Sequence, residues 1–351
     1  MRKFIALLLV CLLAFSLVAC GGGSSEGEAA TPEGENTSGY TGPEYTLTFG
    51  HVIADGTPLD EGADYLSRIV SERTGGKIKI EVYPNSALGD NRAMLESVQQ
   101  GTIDMMSPAV ANLAAFTDAT ALFDLPWLFK NDAHAEAVLD GEIGTQILKD
   151  LEAAGMKGLG WALQGWRELT TDKVPFHKAG DLGGIKLRVQ DNEIHIATWE
   201  ALGASATTMA FSELFTALQQ GTINAQENPL SNIKLSGFYE VQGYVVKTDH
   251  IYDPLPVVMS MKTWEKLDPQ AQEIIQTAVD EMKVWERAFA AEFDAEVLAE
   301  WENSADGPEI IILTDEEKAA LREAVQPVYD KYADKVGQDL IDKVDGMRDQ
   351  F

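Results

Sequence analysis

The chain has 351 residues, 45% of them apolar, enough for one large or two medium domains with a buried core, which excludes general disorder. Lysine and arginine number 27 against 56 aspartates and glutamates, a formal net charge of −29, so a surface built to displace counterions from phosphate is excluded and no nucleic-acid partner is expected. Both cysteines, Cys11 and Cys20, lie in the first 20 residues, which excludes a disulfide framework or thiolate metal site in the folded part.

Arg2 and Lys3 lead into an apolar run from Phe4 to Ala19, interrupted only by Ser16. The run is shorter than the roughly 20 apolar residues of a membrane-spanning helix, and positive charge precedes it; residues 1–19 therefore read as a secretory signal peptide. It ends Leu17-Val18-Ala19-Cys20-Gly21, which resembles the bacterial lipobox, where the chain is cut before a cysteine that carries lipid. The alternative is ordinary cleavage after a small residue, with Cys20 incidental. Cleavage removes two basic residues and takes the formal charge from −29 to −31. Residues 20–43 are rich in Gly, Ser, Glu and Thr and have almost nothing to bury, so they are expected to be a tether, with a root-mean-square reach of roughly 25 Å. The expected product is a domain held just outside a membrane by lipid on Cys20.

From Tyr45 the pattern turns globular. Tyr45 to Phe49 and Lys77 to Tyr83 alternate apolar and polar residues and predict strands. Between them Leu59, Ala63, Leu66, Ile69 and Val70 predict a helix that Gly75-Gly76 stops. Strand, helix, strand over about 40 residues suggests a parallel crossover, hence an α/β fold.

Two stretches then read alike. Gln99-Gln-Gly-Thr-Ile-Asp104 follows a predicted helix over 92–100, and Gln219-Gln-Gly-Thr-Ile-Asn224 follows one over 211–220. Each places a glycine at the helix end, then a short strand, then Ser107-Pro108 or Asn228-Pro229. Either this is a recurrent helix ending, or the chain holds two similar lobes whose strands end at equivalent places. In the second case a cleft between them would be the binding site, since open α/β sheets bind ligands beyond the carboxyl ends of strands. Strands are also predicted over 157–163 and 184–189, a helix over 192–202, and helical spacing runs on from Pro269 to about Glu300. Ile310 to Leu313 predicts a short strand among the shorter helices of the last fifty residues.

Catalytic and metal signatures are missing. His51, His134, His177, His195 and His250 are scattered, and the chain has neither a HExxH pair, a GxSxG elbow nor a phosphate-binding glycine loop. The expectation is a binding protein without metal or cofactor, not an enzyme.

Scarce positive charge in apolar surroundings is the more informative feature. Arg167 follows a predicted strand within Gln164-Gly-Trp-Arg-Glu-Leu, and Arg188 lies inside the strand pattern Gly184-Ile-Lys-Leu-Arg-Val189. Three roles are open to each: ligand binding, a solvated strand face, or an internal ion pair.

At these residues the chain resembles the solute-binding proteins of TRAP transporters, the DctP-like family. The likeness runs from about Tyr45 to about Tyr332. It rests on Gly75-Gly-Lys-Ile-x-Ile-x-Val-Tyr-Pro84 with Leu88-Gly89, on Leu125-Pro-Trp-Leu-Phe129, and on Asp181-Leu-Gly-Gly-Ile-Lys-Leu-Arg-Val189. Ala201 to Ala204, Met209-Ala-Phe-Ser-Glu213, Ala217 to Gly221, Gln226-Glu-Asn-Pro229 and Thr248-Asp-His250 continue it in order. The resemblance implies a two-lobed, periplasmic-binding-protein-like α/β fold with a cleft between lobes and a long helix spanning both. Lobe 1 is expected to comprise residues 44–164 plus 254–293, and lobe 2 residues 165–253 plus 294–351.

The resemblance also implies that Arg188 forms a two-pronged salt bridge with a ligand carboxylate, which the planar guanidinium fork matches. Arg167 would help hold the same carboxylate, Asn228 would donate and accept hydrogen bonds, and Phe211 would pack on the ligand's carbon skeleton. Trp166 and Glu227 adjoin these positions, with strand alternation free to point either one away. Asp191 and Asn192 could cap a helix or accept from ligand hydroxyls, and His51 could reach the ligand or serve the fold. Val52 and Ala109 stand where sialic-acid-binding members carry polar residues, which disfavours sialic acid.

The expected function is that of a monomeric extracytoplasmic receptor. It would close on a small organic acid and deliver it to a small and a large TRAP membrane subunit for uptake driven by an ion gradient. A sugar acid such as a uronate or aldonate is the expected ligand, with a C4-dicarboxylate as the alternative and a ligand-presenting sensory module as a different class of role.

Overall fold

The computed structural model describes residues 39–304 and 307–351. The expected signal peptide, Cys20 and the tether up to Ser38 lie outside the described residues. Within the stretch expected to belong to the tether, Tyr40 is buried and its hydroxyl hydrogen-bonds Asp268 Oδ2 at 2.8 Å. No helix among the described residues is long and apolar enough to cross a membrane.

β1 (Tyr45–Gly50) and β2 (Ile78–Tyr83) pair in parallel, joined by the helix Pro58–Thr74. That helix carries proline in its first turn and stops on Gly75 at φ 60°, the left-handed backbone that glycine adopts without strain. β3 (Met105–Met106) follows, then β4 (Met156–Thr171), β5 (Lys186–Val189), β6 (Ser205–Thr208), β7 (Ala225–Pro229), β8 (Tyr244–Ser260) and β9 (Glu309–Ile312). Among the described residues they form one sheet in the order β2-β1-β3-β8-β4-β7-β5-β6, with β9 beside β8.

The order reads the same from either edge. β1 pairs in parallel with β2 and β3, and β3 pairs antiparallel with β8. Correspondingly, β5 pairs in parallel with β6 and β7, and β7 pairs antiparallel with β4. The repeated Gln-Gln-Gly-Thr-Ile stretch enters β3 in one half and β7 in the other, after the helices Asn91–Gln100 and Phe211–Gln219. The two copies therefore occupy equivalent places in two α/β halves.

β4 and β8 run antiparallel through the middle and belong to both halves. Their extent departs from expectation. The strand predicted over 157–163 continues to Thr171, and β8 was not predicted because Pro254 and Pro256 interrupt its pattern. Both prolines are tolerated there because β3 pairs only with Val258 and Met259, leaving that edge of β8 without a ladder to feed. The β4–β8 register slips between Leu163 and Trp166, where Gly165 takes φ 117°. A side chain there would be strained and would lie about 3.1 Å from Asp294 Oδ2.

The helix Pro269–Glu302 is unbroken for 34 residues, about 51 Å at 1.5 Å per residue. Asp268 caps it by accepting from the Gln270 and Ala271 amides at 3.0 and 3.1 Å, and its interior contains no glycine or further proline. It contributes to a core in each half. Ala278, Val279 and Met282 pack with Leu47, Phe49, Leu66 and Ile78, while Val297 and Trp301 pack with Leu214, Leu218, Leu230 and Val245.

Candidate binding site

The carboxyl ends of strands from both halves converge on one cavity. His51 follows β1, Ser107 follows β3, Gln190 follows β5, and Asn228 lies at the end of β7; all line it. Helix starts supply two more walls: Asn91 opens the helix Asn91–Gln100, and Phe211 opens Phe211–Gln219 with its ring edge-on to Phe238 at 5.7 Å. The inner chamber has about 20 Å³ of free volume and continues past Val52, Asn91, Asn112, Arg188 and Phe211 into an outer one of about 200 Å³.

Arg188 is the cation of this cavity. Beyond exposed Lys186, β5 is buried on both faces, which places Arg188 inside at 4% exposure and rules out a solvated strand face. Its Nε and Nη2 donate to the Met209 carbonyl at 3.1 and 2.8 Å, while Nη1 is buried with no protein partner. Burial lowers its pKa to about 10, a drop that Glu227 opposes and Arg167 adds to. The group is still cationic at neutral pH and has a donor to offer, the state that most favours an incoming carboxylate.

Arg167 is placed differently from expectation. It is fully buried, does not line the cavity, and is the internal ion pair that its sequence context left open. Nε donates to Glu227 Oε2 at 2.5 Å, Nη2 to Oε1 at 3.0 Å, and Nη1 to Asp253 Oδ2 at 2.5 Å. Burial alone would lower its pKa, but Glu227 and Asp253 outweigh it and hold the guanidinium above its ordinary range. Burial likewise pushes Glu227 up, yet the Arg167 charge and the hydrogen bonds from His250 and Arg167 hold it far below the carboxylate range. Glu227 is therefore occupied by Arg167 and His250 and is not a cavity residue.

Among the described residues, Arg167 reaches the site through Asn228, whose Oδ1 accepts from Arg167 Nη2 and from Asn232 Nδ2, both at 3.3 Å. Gln164 Nε2 donates to Asn232 Oδ1 at 2.9 Å and completes one wall of buried amides. These three amides line the cavity together.

Trp166 is turned away by the register slip. Its indole donates to Asp132 Oδ1 at 2.6 Å, and it lines a separate groove with Trp127 and Lys318. Asn192 is a helix cap: its Oδ1 accepts from the Ile194 and His195 amides at 2.8 and 3.4 Å, and its Nδ2 donates to Asp124 Oδ2 at 2.9 Å. Its neighbour Asp191 is exposed and lines the outer chamber beside Arg188. His51 is fully buried in the inner wall, with Nε2 3.1 Å from Asp60 Oδ1. Burial pushes the Asp60 carboxyl up, but the bonds from His51 and from the Gly56 amide prevail and hold it low.

Sequence reasoning missed Asn91, Gln164, Gln190 and Asn232. Asn91 follows the Leu88-Gly89 motif and Gln190 follows Arg188-Val189, so proximity to those motifs was the available signal. Gln164 opens the segment that carries Arg167, the same kind of signal, whereas nothing in the sequence distinguished Asn232 from the chain's other amides.

Residues 49–335 match the family model described as bacterial extracellular solute-binding protein, family 7. The chain belongs to this family. It is 32% identical over 306 residues to the 2,3-diketo-L-gulonate-binding periplasmic protein YiaO of Escherichia coli, covering 86% of this chain and 92% of that one. Its fold superposes with a TM-score of 0.83 on the sugar acid binding protein DctPAm of Advenella mimigardefordensis in complex with galactonate, at 32% identity, covering 86% of this chain and 97% of that one. A TRAP periplasmic solute binding protein of Sulfurospirillum deleyianum with bound succinate superposes with a TM-score of 0.82, at 32% identity, covering 86% and 99%. The α/β fold of two lobes and the role of extracytoplasmic TRAP solute receptor stand on this membership.

Proposed function

We propose that the protein captures a small carboxylate, a uronate or aldonate, with Arg188 as the group that holds it. The single observation carrying this reading is the buried Arg188 fork, anchored on Met209 and left with a free Nη1 in the cavity. Phe211 would cover the ligand's carbon skeleton, and Asn228, oriented by Arg167, would supply an amide. Arg167 thus acts as a positioning residue.

The inner chamber is too narrow for such a ligand in this conformation, so the lobes must part for entry and close after it. The division expected at 164/165 and 253/254 falls on the register slip of β4 and beside Asp253, which suits a bending point in the two shared strands. The closed, loaded form would dock on a small and a large TRAP membrane subunit, the chain staying near them through lipid on Cys20, as a monomer and without cofactor.

A C4-dicarboxylate is the second reading, favoured by the succinate-bound neighbour. It needs a second cationic or donor-rich end, and among the described residues Arg188 is the one lysine or arginine lining the inner chamber. A thermal-shift screen with uronates, aldonates, C4-dicarboxylates, sialic acid, 2-oxo acids and amino acids tests the choice, because a ligand that binds only the folded protein raises its melting temperature. A shift with a sugar acid and none with succinate is expected; a shift with succinate or malate alone would establish the second reading.

A further inference from the structure

We infer that Asn91, Gln190 and His51 read hydroxyl groups of the ligand, so that the site selects polyhydroxylated monocarboxylates over plain acids and diacids. The inference rests on the reading that Arg188 holds the carboxylate. Its own observation is a set of three buried atoms without protein partners, Asn91 Oδ1, Gln190 Oε1 and His51 Nδ1, all on side chains that line the same cavity as Arg188 Nη1. Gln190 and His51 are themselves more than nine-tenths buried.

The chemistry of the three atoms is alike. The amide oxygens of Asn91 and Gln190 only accept. His51 meets Asp60 through Nε2, and Asp60 also accepts from the Gly56 amide at 2.8 Å, which marks it as an ionised acceptor. Nε2 therefore carries the proton that meets Asp60, and Nδ1 is the ring atom left without a protein partner, a lone-pair acceptor in the Nε2–H tautomer. The buried unpartnered atoms of the cavity are thus one cationic donor and three acceptors.

A ligand that satisfies this set carries one carboxylate and several O–H donors. A plain fatty acid would leave the acceptors buried and unpaired. The second carboxylate of a diacid would bring lone pairs towards lone pairs. Sites built to hydrogen-bond a ligand hydroxyl discriminate strongly against analogues that lack it, because the buried partner is then orphaned.

The test is calorimetric titration of the purified protein with three acids of one chain length: galactonate, hexanoate and adipate. Shorter sets (erythronate, butyrate, succinate) repeat the comparison. The expected result is at least about 100-fold preference for the hydroxy acid over both others. Gln190→Met and Asn91→Leu should each weaken the hydroxy acid about tenfold or more and leave the plain acid within about twofold. The ratio between ligands normalises for any general loss of folded protein. Equal affinity for the three acids, or variants that weaken all of them alike, would overturn the inference while leaving the carboxylate reading intact. Undiminished binding of every acid by Arg188→Gln would instead remove the carboxylate reading, and this inference with it.

Discussion

Arg167 and Glu227 face each other across neighbouring strands β4 and β7, joined by two contacts of 2.5 and 3.0 Å and sealed from water. His250 and Asp253 close the group from β8, so the pair ties both central strands to the second half of the sheet. Removing one partner of such a pair leaves an uncompensated buried charge.

Arg167→Met should therefore cost about 3–5 kcal/mol in urea unfolding, the usual penalty for breaking a buried pair. The pH dependence has a definite sign. Glu227 is held below its unfolded value, so its contribution is fully present above about pH 4.3 and is lost as pH falls. A variant within about 1 kcal/mol of the parent would show that the pair has no structural role.

Arg188→Ala tests the opposite kind of arginine. Its guanidinium meets a carbonyl and no carboxylate, so no buried charge is orphaned and the free protein should stay folded. Carboxylate affinity should fall at least about 100-fold, since charge-assisted hydrogen bonds are each worth about 1.5–3 kcal/mol. A drop of less than about tenfold, or 1.4 kcal/mol, would place the carboxylate elsewhere.

Asn192→Ala separates capping from recognition. Loss of the cap should lower stability by about 1 kcal/mol, and Asp124 would lose a buried donor as well. Ligand affinity should stay within about twofold. If affinity fell while stability held, Asn192 would be a ligand residue after all.

Glu286, buried on the long helix, accepts the Leu163 amide through both oxygens at 3.1 and 2.9 Å, next to the register slip of β4. Burial raises its pKa to about 8, against the opposing Leu163 bond and the Arg287 charge. The folded state then holds a proton that the unfolded chain releases near pH 4.3, so this group lowers stability as pH rises from there towards 8. Glu286→Gln keeps an acceptor for Leu163 and removes the titration. Relative to the parent, the variant should gain stability between pH 5 and 9; a constant difference across that range would contradict the assignment.

Much of the fold was legible in particular residues. Gly75, Gly101 and Gly221 marked helix ends and do take positive φ there. The capped, glycine-free run after Pro269 marked the long helix. The twin Gln-Gln-Gly-Thr-Ile stretches marked two equivalent halves. β8 was hidden by Pro254 and Pro256, because whether a strand tolerates proline depends on which of its edges has a partner, and that is a tertiary fact.

Residue order carries the chemical inventory: a few arginines in apolar strand patterns, helix-ending glycines in repeated places, and neither a HExxH, a GxSxG nor a phosphate-loop motif. Tertiary structure alone decided what each arginine does. Arg167 and Arg188 sit in similar apolar contexts, yet one meets two buried carboxylates and the other a single carbonyl. Local pattern cannot distinguish them, because the partners Glu227, Asp253 and Met209 arrive from 60, 86 and 21 residues away. Whether a buried carboxylate comes within hydrogen-bonding reach, set only when the strands pair, leaves Arg188 with an unpaired donor facing the cavity and Arg167 without one.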